Sequence, residues 1–267
     1  MRRIILISLV LTCVIISGFS QENDTTPKTW HPSQGAILDG RTILKANLTG
    51  LALGNYSFSA ERIIGKHFSL VGGVGYYPTG KLPYSSVIAD LAKDEEGYID
   101  MLQVNNQTLS LEMRFYTGRK GYGRGFYISP YYRYGKSGFD NIQTEYTNDE
   151  EEVYDISLNG NLKTHSGGIL LGCQWLAGKR KNIVIDWSIF GGHIGYMNGN
   201  AFGETSQTLS DEDQQDVKDT IDDTLEQYLG KIPLFEHTTT VTANSADVNL
   251  KGPWAFIRGS LSIGIRL

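Results

Sequence analysis

Leu109-Ser110-Leu111-Glu112-Met113-Arg114-Phe115 places four large apolar side chains on one side of an extended chain and a serine, a glutamate and an arginine on the other. Successive side chains of a strand point to opposite faces, so this stretch reads as a strand with one apolar face and one charged face. The same period of two recurs along the chain. Leu44, Ala46 and Leu48 alternate with Lys45, Asn47 and Thr49; Tyr56, Phe58 and Ala60 alternate with Ser57, Ser59 and Glu61. Phe68, Leu70, Val74 and Tyr76 share a face with Gly72 and oppose Ser69, Gly73 and Gly75. Further on, Phe126, Ile128, Pro130, Tyr132 and Tyr134 oppose Tyr127, Ser129, Tyr131 and Arg133, and Ile169, Leu171, Cys173 and Trp175 oppose Leu170, Gly172 and Gln174. The last two segments set Ile183, Ile185, Trp187 and Ile189 against Val184, Asp186, Ser188 and Phe190, and Ile257, Leu261, Ile263, Ile265 and Leu267 against Arg258, Ser260, Ser262 and Arg266. The total is eight segments.

Alternation does not by itself say which face is inside, since a soluble lipocalin-like barrel turns its apolar face inward. Here the polar face carries both signs of charge, in Lys45, Glu61, Glu112, Arg114, Arg133, Asp186 and Arg258, among many Gly and Ser residues. Such residues can pair within a narrow lumen, whereas each charge turned to lipid at the midplane costs about 2–4 kcal/mol. Aromatics gather near segment ends (Tyr76, Tyr77, Phe115, Tyr116, Phe126, Tyr134, Trp175, Tyr196, Trp254), where interfacial girdles sit, and the last segment runs to Leu267 as a closing strand would. The connections alternate in length: residues 65–66, 117–124 and 177–181 are short, whereas 78–107, 136–163 and 197–252 are long. Only the hairpin around Gly50 to Asn55 breaks that order. Charge sorts the same way, with Lys66, Arg119, Lys120, Arg124, Lys179, Arg180 and Lys181 in the short turns, and Asp140, Glu145, Asp149, Glu150, Glu151, Glu152 and Asp155 in one long connection. The expected fold is all-β, an eight-stranded antiparallel transmembrane β-barrel with short periplasmic turns and long extracellular loops, one containing a short helix.

The N-terminus agrees with export. Met1-Arg2-Arg3 precedes an apolar run from Ile4 to Ile16, and Gly18-Phe19-Ser20 offers small residues for cleavage before Gln21. The run is short for a bilayer span. The expected organisation is a signal peptide over 1–20, a polar periplasmic lead-in over 21–40, and the barrel over 41–267. Removal of Arg2 and Arg3 takes the bases from 24 to 22 against 29 acids, a net charge of −7, and leaves Cys173 without a disulfide partner. The acidic balance excludes a nucleic-acid binder with a basic footprint. A mean hydropathy of −0.24 excludes a polytopic helical membrane protein.

Lys45-Ala46-Asn47-Leu48-Thr49-Gly50-Leu51, Tyr56-Ser57-Phe58-Ser59-Ala60-Glu61-Arg62 and Gly125-Phe126-Tyr127-Ile128-Ser129-Pro130-Tyr131-Tyr132-Arg133-Tyr134 resemble the outer-membrane barrels of uncharacterised function common in Bacteroidota, small barrels of the OmpA/OmpW kind. The resemblance implies fold and an outer-membrane location in a Gram-negative bacterium. The final segment resembles the strand read by the barrel-assembly machinery, although Leu267 stands where an aromatic is usual.

Some eight-stranded barrels modify lipids, and His67 and Ser69 share a strand face, with Glu61 or Glu112 as a third group of a Ser-His-acid set. His67 follows the short turn Gly65-Lys66, which puts it at the periplasmic rim and away from outer-leaflet lipid. His165 with Ser166, and His193, lie nearer the outer rim with no acid to assign to them. No catalytic residue, cofactor or metal ligand is expected, since no Cys/His cluster has zinc spacing and no Gly-rich loop joins a strand to a helix. The run Asp149 to Glu152 reads as a solvated loop, with loose calcium binding or a divalent-ion bridge to lipopolysaccharide as the alternatives. Ser210-Asp211-Glu212-Asp213 resembles a capping box, and Val217, Ile221, Leu225, Tyr228 and Leu229 follow at helical spacing up to Gly230. This predicts an amphipathic loop helix whose apolar stripe packs on neighbouring loops or serves as a lid or docking surface. The expected role is non-catalytic: envelope structure, or surface interaction through acidic loops. The alternatives are a passive conduit for small hydrophobic molecules and, further off, a lipid-modifying enzyme. The expected partners are outer-membrane lipid and lipopolysaccharide, the assembly machinery during biogenesis, and an unidentified extracellular partner.

Overall fold

A computed structural model of the chain describes residues 40–81, 85, 103–119, 121–147, 153–230 and 232–267. The expected signal peptide, nearly all of the lead-in and the acid run Asp149 to Glu152 lie outside the described residues.

Among the described residues nine strands and two helices follow in order: β1 (Thr42–Asn47), α1 (Leu48–Ala52), β2 (Tyr56–Ile63), β3 (Phe68–Lys81), β4 (Gln103–Tyr116), β5 (Gly125–Thr147), β6 (Val153–Ala177), β7 (Ile183–Thr205), α2 (Asp211–Leu229), β8 (Glu236–Val241) and β9 (Ser245–Arg266). Each of β1 to β7 pairs antiparallel with its sequence neighbour, β7 pairs with β9, and β9 returns to β1 with Ile43 opposite Arg266 and Asn47 opposite Ser262. Eight strands therefore close a ring. Over the height that β1 spans, closure removes the free sheet edges that exposed strands otherwise offer to other chains.

The alternation read from the sequence decides the two faces. Glu112 and Arg114 are buried inside, while Leu111 and Met113 are 58% and 44% exposed outside. Leu44, Phe58, Val74, Ile128, Ile169, Ile185 and Ile263 extend the same exposed apolar surface around the ring. At the short-turn end the interior is closed by Ile43, Ile63 and Val184, with Leu176 against them.

Three departures from the sequence reading have physical causes. Residues 136–147 and 153–163, expected as loop, continue β5 and β6 to 23 and 25 residues, and residues 197–205 likewise extend β7. The extensions of β5 and β7 carry little apolar periodicity, so backbone pairing makes these strands; in β6 Tyr154, Ile156, Leu158 and Leu162 do alternate with Asp155, Ser157, Asn159 and Asn161, a period of two inside the stretch expected as loop. In β7 the register slips between Ser188 and Gly191, so that Phe190 turns outward and Gly191 and His193 take the interior positions. A bulge inserts one residue and reverses the alternation beyond it. Tyr116, expected in an interfacial girdle, is an interior residue, 2% exposed.

The ring is uneven in height. β1 and β2 have 6 and 8 residues, whereas β9 has 22. Above Asn47 the chain turns into α1, whose Asn47 cap accepts from the Gly50 amide, and Thr49 Oγ1 accepts from the Leu261 amide at 2.7 Å. Higher on the same edge of β9, β8 pairs with residues 246–251. Between these two contacts, no strand among the described residues pairs with the β9 edge from Gly252 to Ser260. The Leu261 amide points to this edge, so by alternation Pro253, Ala255, Ile257 and Gly259 do as well. Pro253 has no amide hydrogen to leave unpaired, a placement that suits an edge.

α2 has the capping box read from the sequence: Ser210 Oγ accepts from the Asp213 amide at 3.1 Å, and the Asp213 carboxylate accepts from the Ser210 amide at 3.3 Å. Asp211, Glu212 and Asp213 in its first turn complement the helix dipole. The helix packs on β8. Val217 is buried and Ile221, Leu225 and Leu229 are half-buried; the Tyr228 side chain lies outside the described residues.

Candidate functional site

The interior of the ring collects charge from strands distant in sequence. Lys45 on β1 donates to Glu61 Oε2 at 2.7 Å, to Asp186 Oδ2 at 2.7 Å and to Gln174 Oε1 at 2.9 Å. Arg114 on β4 donates through Nη1 to Asp186 Oδ2 at 2.6 Å and through Nη2 to Glu112 Oε2 at 2.9 Å. Its guanidinium lies 4.2 Å from the centre of the Tyr127 ring, and the Tyr127 hydroxyl donates to Asp186 Oδ1 at 2.8 Å. Glu61 is saturated in the same way, with Tyr116 and Ser69 each donating to Oε1 at 2.6 Å. A buried charge is tolerated when its partners replace the lost water, and these partners do.

Glycine makes room for the network at two points. A Cβ on Gly172 would lie 2.3 Å from the Tyr127 hydroxyl. At Gly123, with φ of +75°, the carbonyl turns in and accepts from Gln174 Nε2 at 2.6 Å. Gln174, Tyr116 and Tyr127 are thus part of the network although the sequence reading assigned charge pairing to ionised residues alone. Their interior strand positions were the available signal.

Of the seven charged residues expected inside, the structure brings Lys45, Glu61, Glu112, Arg114 and Asp186 into one cluster. Arg258 stands at its upper border, with Nη2 3.3 Å from Glu112 Oε1 and the guanidinium 5.1 Å from the Tyr131 ring centre. Arg133 makes no ion pair among the described residues. Both arginines line a cavity of about 510 Å³ above the cluster. Trp254 and Phe256 of β9 stack at 6.2 Å, and His193 accepts from or donates to the Tyr131 hydroxyl at 2.8 Å.

The residues weighed for catalysis do not converge. His67 Nδ1 lies 2.8 Å from the Tyr116 carbonyl, whereas Ser69 donates to Glu61. His165 Nδ1 meets the Tyr132 hydroxyl at 2.6 Å on the outer face. Among the described residues no group of His, Cys, Asp and Glu is arranged to hold a metal ion, and no helix is long and apolar enough to cross a membrane. No family model, curated protein or solved structure matches the chain.

Proposed function

We propose that the chain is a non-catalytic transmembrane β-barrel of a Gram-negative outer membrane, of the small kind found in Bacteroidota, closed to ions at its periplasmic end and acting through its outer half. One observation carries this reading: the polarity of the ring is inverted, with an ion network inside and leucine, isoleucine and phenylalanine exposed around the outside. Water does not favour so continuous an apolar surface, while lipid does. An eight-stranded ring is only wide enough for side chains to fill it, and here Tyr116, Tyr127, Gln174 and the charged cluster do so. The long strands and α2 then stand outside the cell as the surface for envelope contacts.

Cysteines at Asp219 and Arg180 test the placement. An impermeant thiol reagent on intact cells should label the first and spare the second; labelling at Arg180 alone would reverse the orientation, and a protein recovered free of membranes would end the proposal. Planar bilayers supply the second measurement, in which the wild-type barrel should show no steady ion conductance.

A second reading, a passive conduit for small hydrophobic molecules, is favoured by the unpaired β9 edge from Gly252 to Ser260. Over that stretch no strand among the described residues closes the wall between the upper interior and the apolar exterior.

A further inference from the structure

The cavity above the ion network has two kinds of wall. Glu112, Arg133 and Arg258 belong to the inner face of the ring, whereas Phe58, Val74 and Ile257 belong to the outer face, so the space reaches the wall between α1 and the β9 edge that no strand among the described residues pairs with. On the outside of the same wall lies an apolar groove of about 710 Å³ in which Ala46, Ala60 and Gly72 form a low floor, with Phe58, Ser59 and Val74 lining both spaces. The two spaces therefore lie against the same stretch of wall, below the β9 edge that no described strand pairs with.

Charge chooses the occupant. Lys45, Arg114 and Arg258 offset Glu61, Glu112 and Asp186, which leaves Arg133 as one base in excess: Glu112 acts on it from a distance but is already paired with Arg114 and Arg258. Arg258 Nη1 is also buried without a hydrogen-bond partner. A guanidinium nitrogen buried without a partner is costly, and the planar fork that carries it suits a carboxylate. One uncompensated positive charge matches a singly charged head; a phosphate monoester brings close to two negative charges, and a zwitterion brings no net charge. The single apolar groove accommodates a single chain.

The geometry points to a binding site for a single-chain carboxylate amphiphile, its head on Arg133 and Arg258 and its chain leaving past Ile257 into the outer groove. This rests on the reading of the ring as a membrane barrel. The head lies in a pocket of ordinary ligand size, and the chain exchanges one apolar environment for another, so most of the discrimination comes from the carboxylate.

Calorimetry on the full-length mature protein in phosphatidylcholine nanodiscs, and again in nonionic detergent, with palmitate, hexadecanol and acetate as probes, tests the site. Palmitate should bind about tenfold or more tightly than hexadecanol, because only it pairs with the arginines. Acetate, lacking a chain, should not bind detectably. Arg133→Gln should remove the preference, and Arg133→Lys should retain part of it. Bromine at the far end of the palmitate chain should quench a fluorophore on V74C in the groove and leave one on E204C unaffected. Equal binding of palmitate and hexadecanol to the wild type overturns the proposal without any variant, as does an unquenched V74C label in palmitate-saturated protein. A protein that binds palmitate in detergent but fails to enter the nanodisc would instead overturn the membrane reading and leave the site standing.

Discussion

Arg114 and Asp186 meet across the interior, Nη1 2.6 Å from Oδ2, from strands that are not neighbours in the ring and from positions 72 residues apart. The contact ties β4 to β7 through the lumen, independently of the ladders around the wall. Removing one member of a buried ion pair leaves the other charged and without water, which costs about 3–5 kcal/mol. Asp186→Asn should therefore destabilise by about that amount, since it weakens the hold on both Lys45 and Arg114. The urea midpoint of the lipid-inserted protein, followed by tryptophan fluorescence, checks it; an unchanged midpoint would mean that water already reaches the cluster.

Gly172 gives a prediction without charge. Any Cβ there would lie 2.3 Å from the Tyr127 hydroxyl and 2.7 Å from the Trp187 carbonyl, and the second neighbour is backbone that cannot swing aside. Gly172→Ala should cost about 1–3 kcal/mol as overpacking. Tyr127→Phe in the same background should not restore the loss, because the Trp187 carbonyl still collides. Unfolding midpoints of the three proteins decide it.

How much of this was legible follows the physics of each element. Leu109 to Phe115 fixed the two faces because burial acts on alternate residues, and α2 was legible from Ser210 to Gly230 because its cap and stripe are local. The top of β5 was hidden, since beyond Tyr134 apolar residues are sparse and cross-strand pairing makes the strand, whereas the top of β6 was legible in the alternation of Tyr154, Ile156, Leu158 and Leu162 with Asp155, Ser157, Asn159 and Asn161. β8, whose centre is Thr238-Thr239-Thr240, forms because the β9 edge is free to receive it, a fact about residues 246–251 rather than its own sequence. The bulge at Ile189-Phe190 shows only in register. Interior charges were identifiable one by one, but their pairing needed the ring: nothing local tells Lys45 that Glu61, Gln174 and Asp186 will converge on it.

An ion pair within α2, beside β8, has a pH signature. The Lys218 ammonium, 2.8 Å from Asp222 Oδ2, holds that carboxyl below its ordinary 3.8, and Asp222 in turn raises Lys218 above 10.5. Asp219 also acts on Lys218, and His237 of β8 faces Asp222 Oδ1 at 3.3 Å. A depressed carboxyl stabilises the folded form above its unfolded pKa and loses that contribution as pH falls through the folded value; a raised amine does so below its unfolded pKa and loses it as pH rises. The pair should thus support the helix between about pH 4 and pH 10 and fade on both sides. Helical circular dichroism against pH, with Asp222→Asn lacking the acid limb attributable to this residue, is the check.

The anchoring of α2 carries the last prediction. Val217 is buried, and Ile221, Leu225 and Leu229 are half-buried where the helix packs on β8. A fully buried leucine contributes about 1.5–3 kcal/mol, so two half-buried ones contribute about that much together. Nineteen residues make a helix that is marginal in water without such contacts. Leu225→Asp with Leu229→Asp should therefore release α2 while the ring stays folded, because the ring's ladders and interior network do not pass through the helix. Limited proteolysis should cut the double variant within 211–229 and leave the wild type resistant, with the strand signal in circular dichroism unchanged. If the wild type is cut equally fast, the stripe is not held by β8 in solution, and the helix is a segment that folds fully only on a partner.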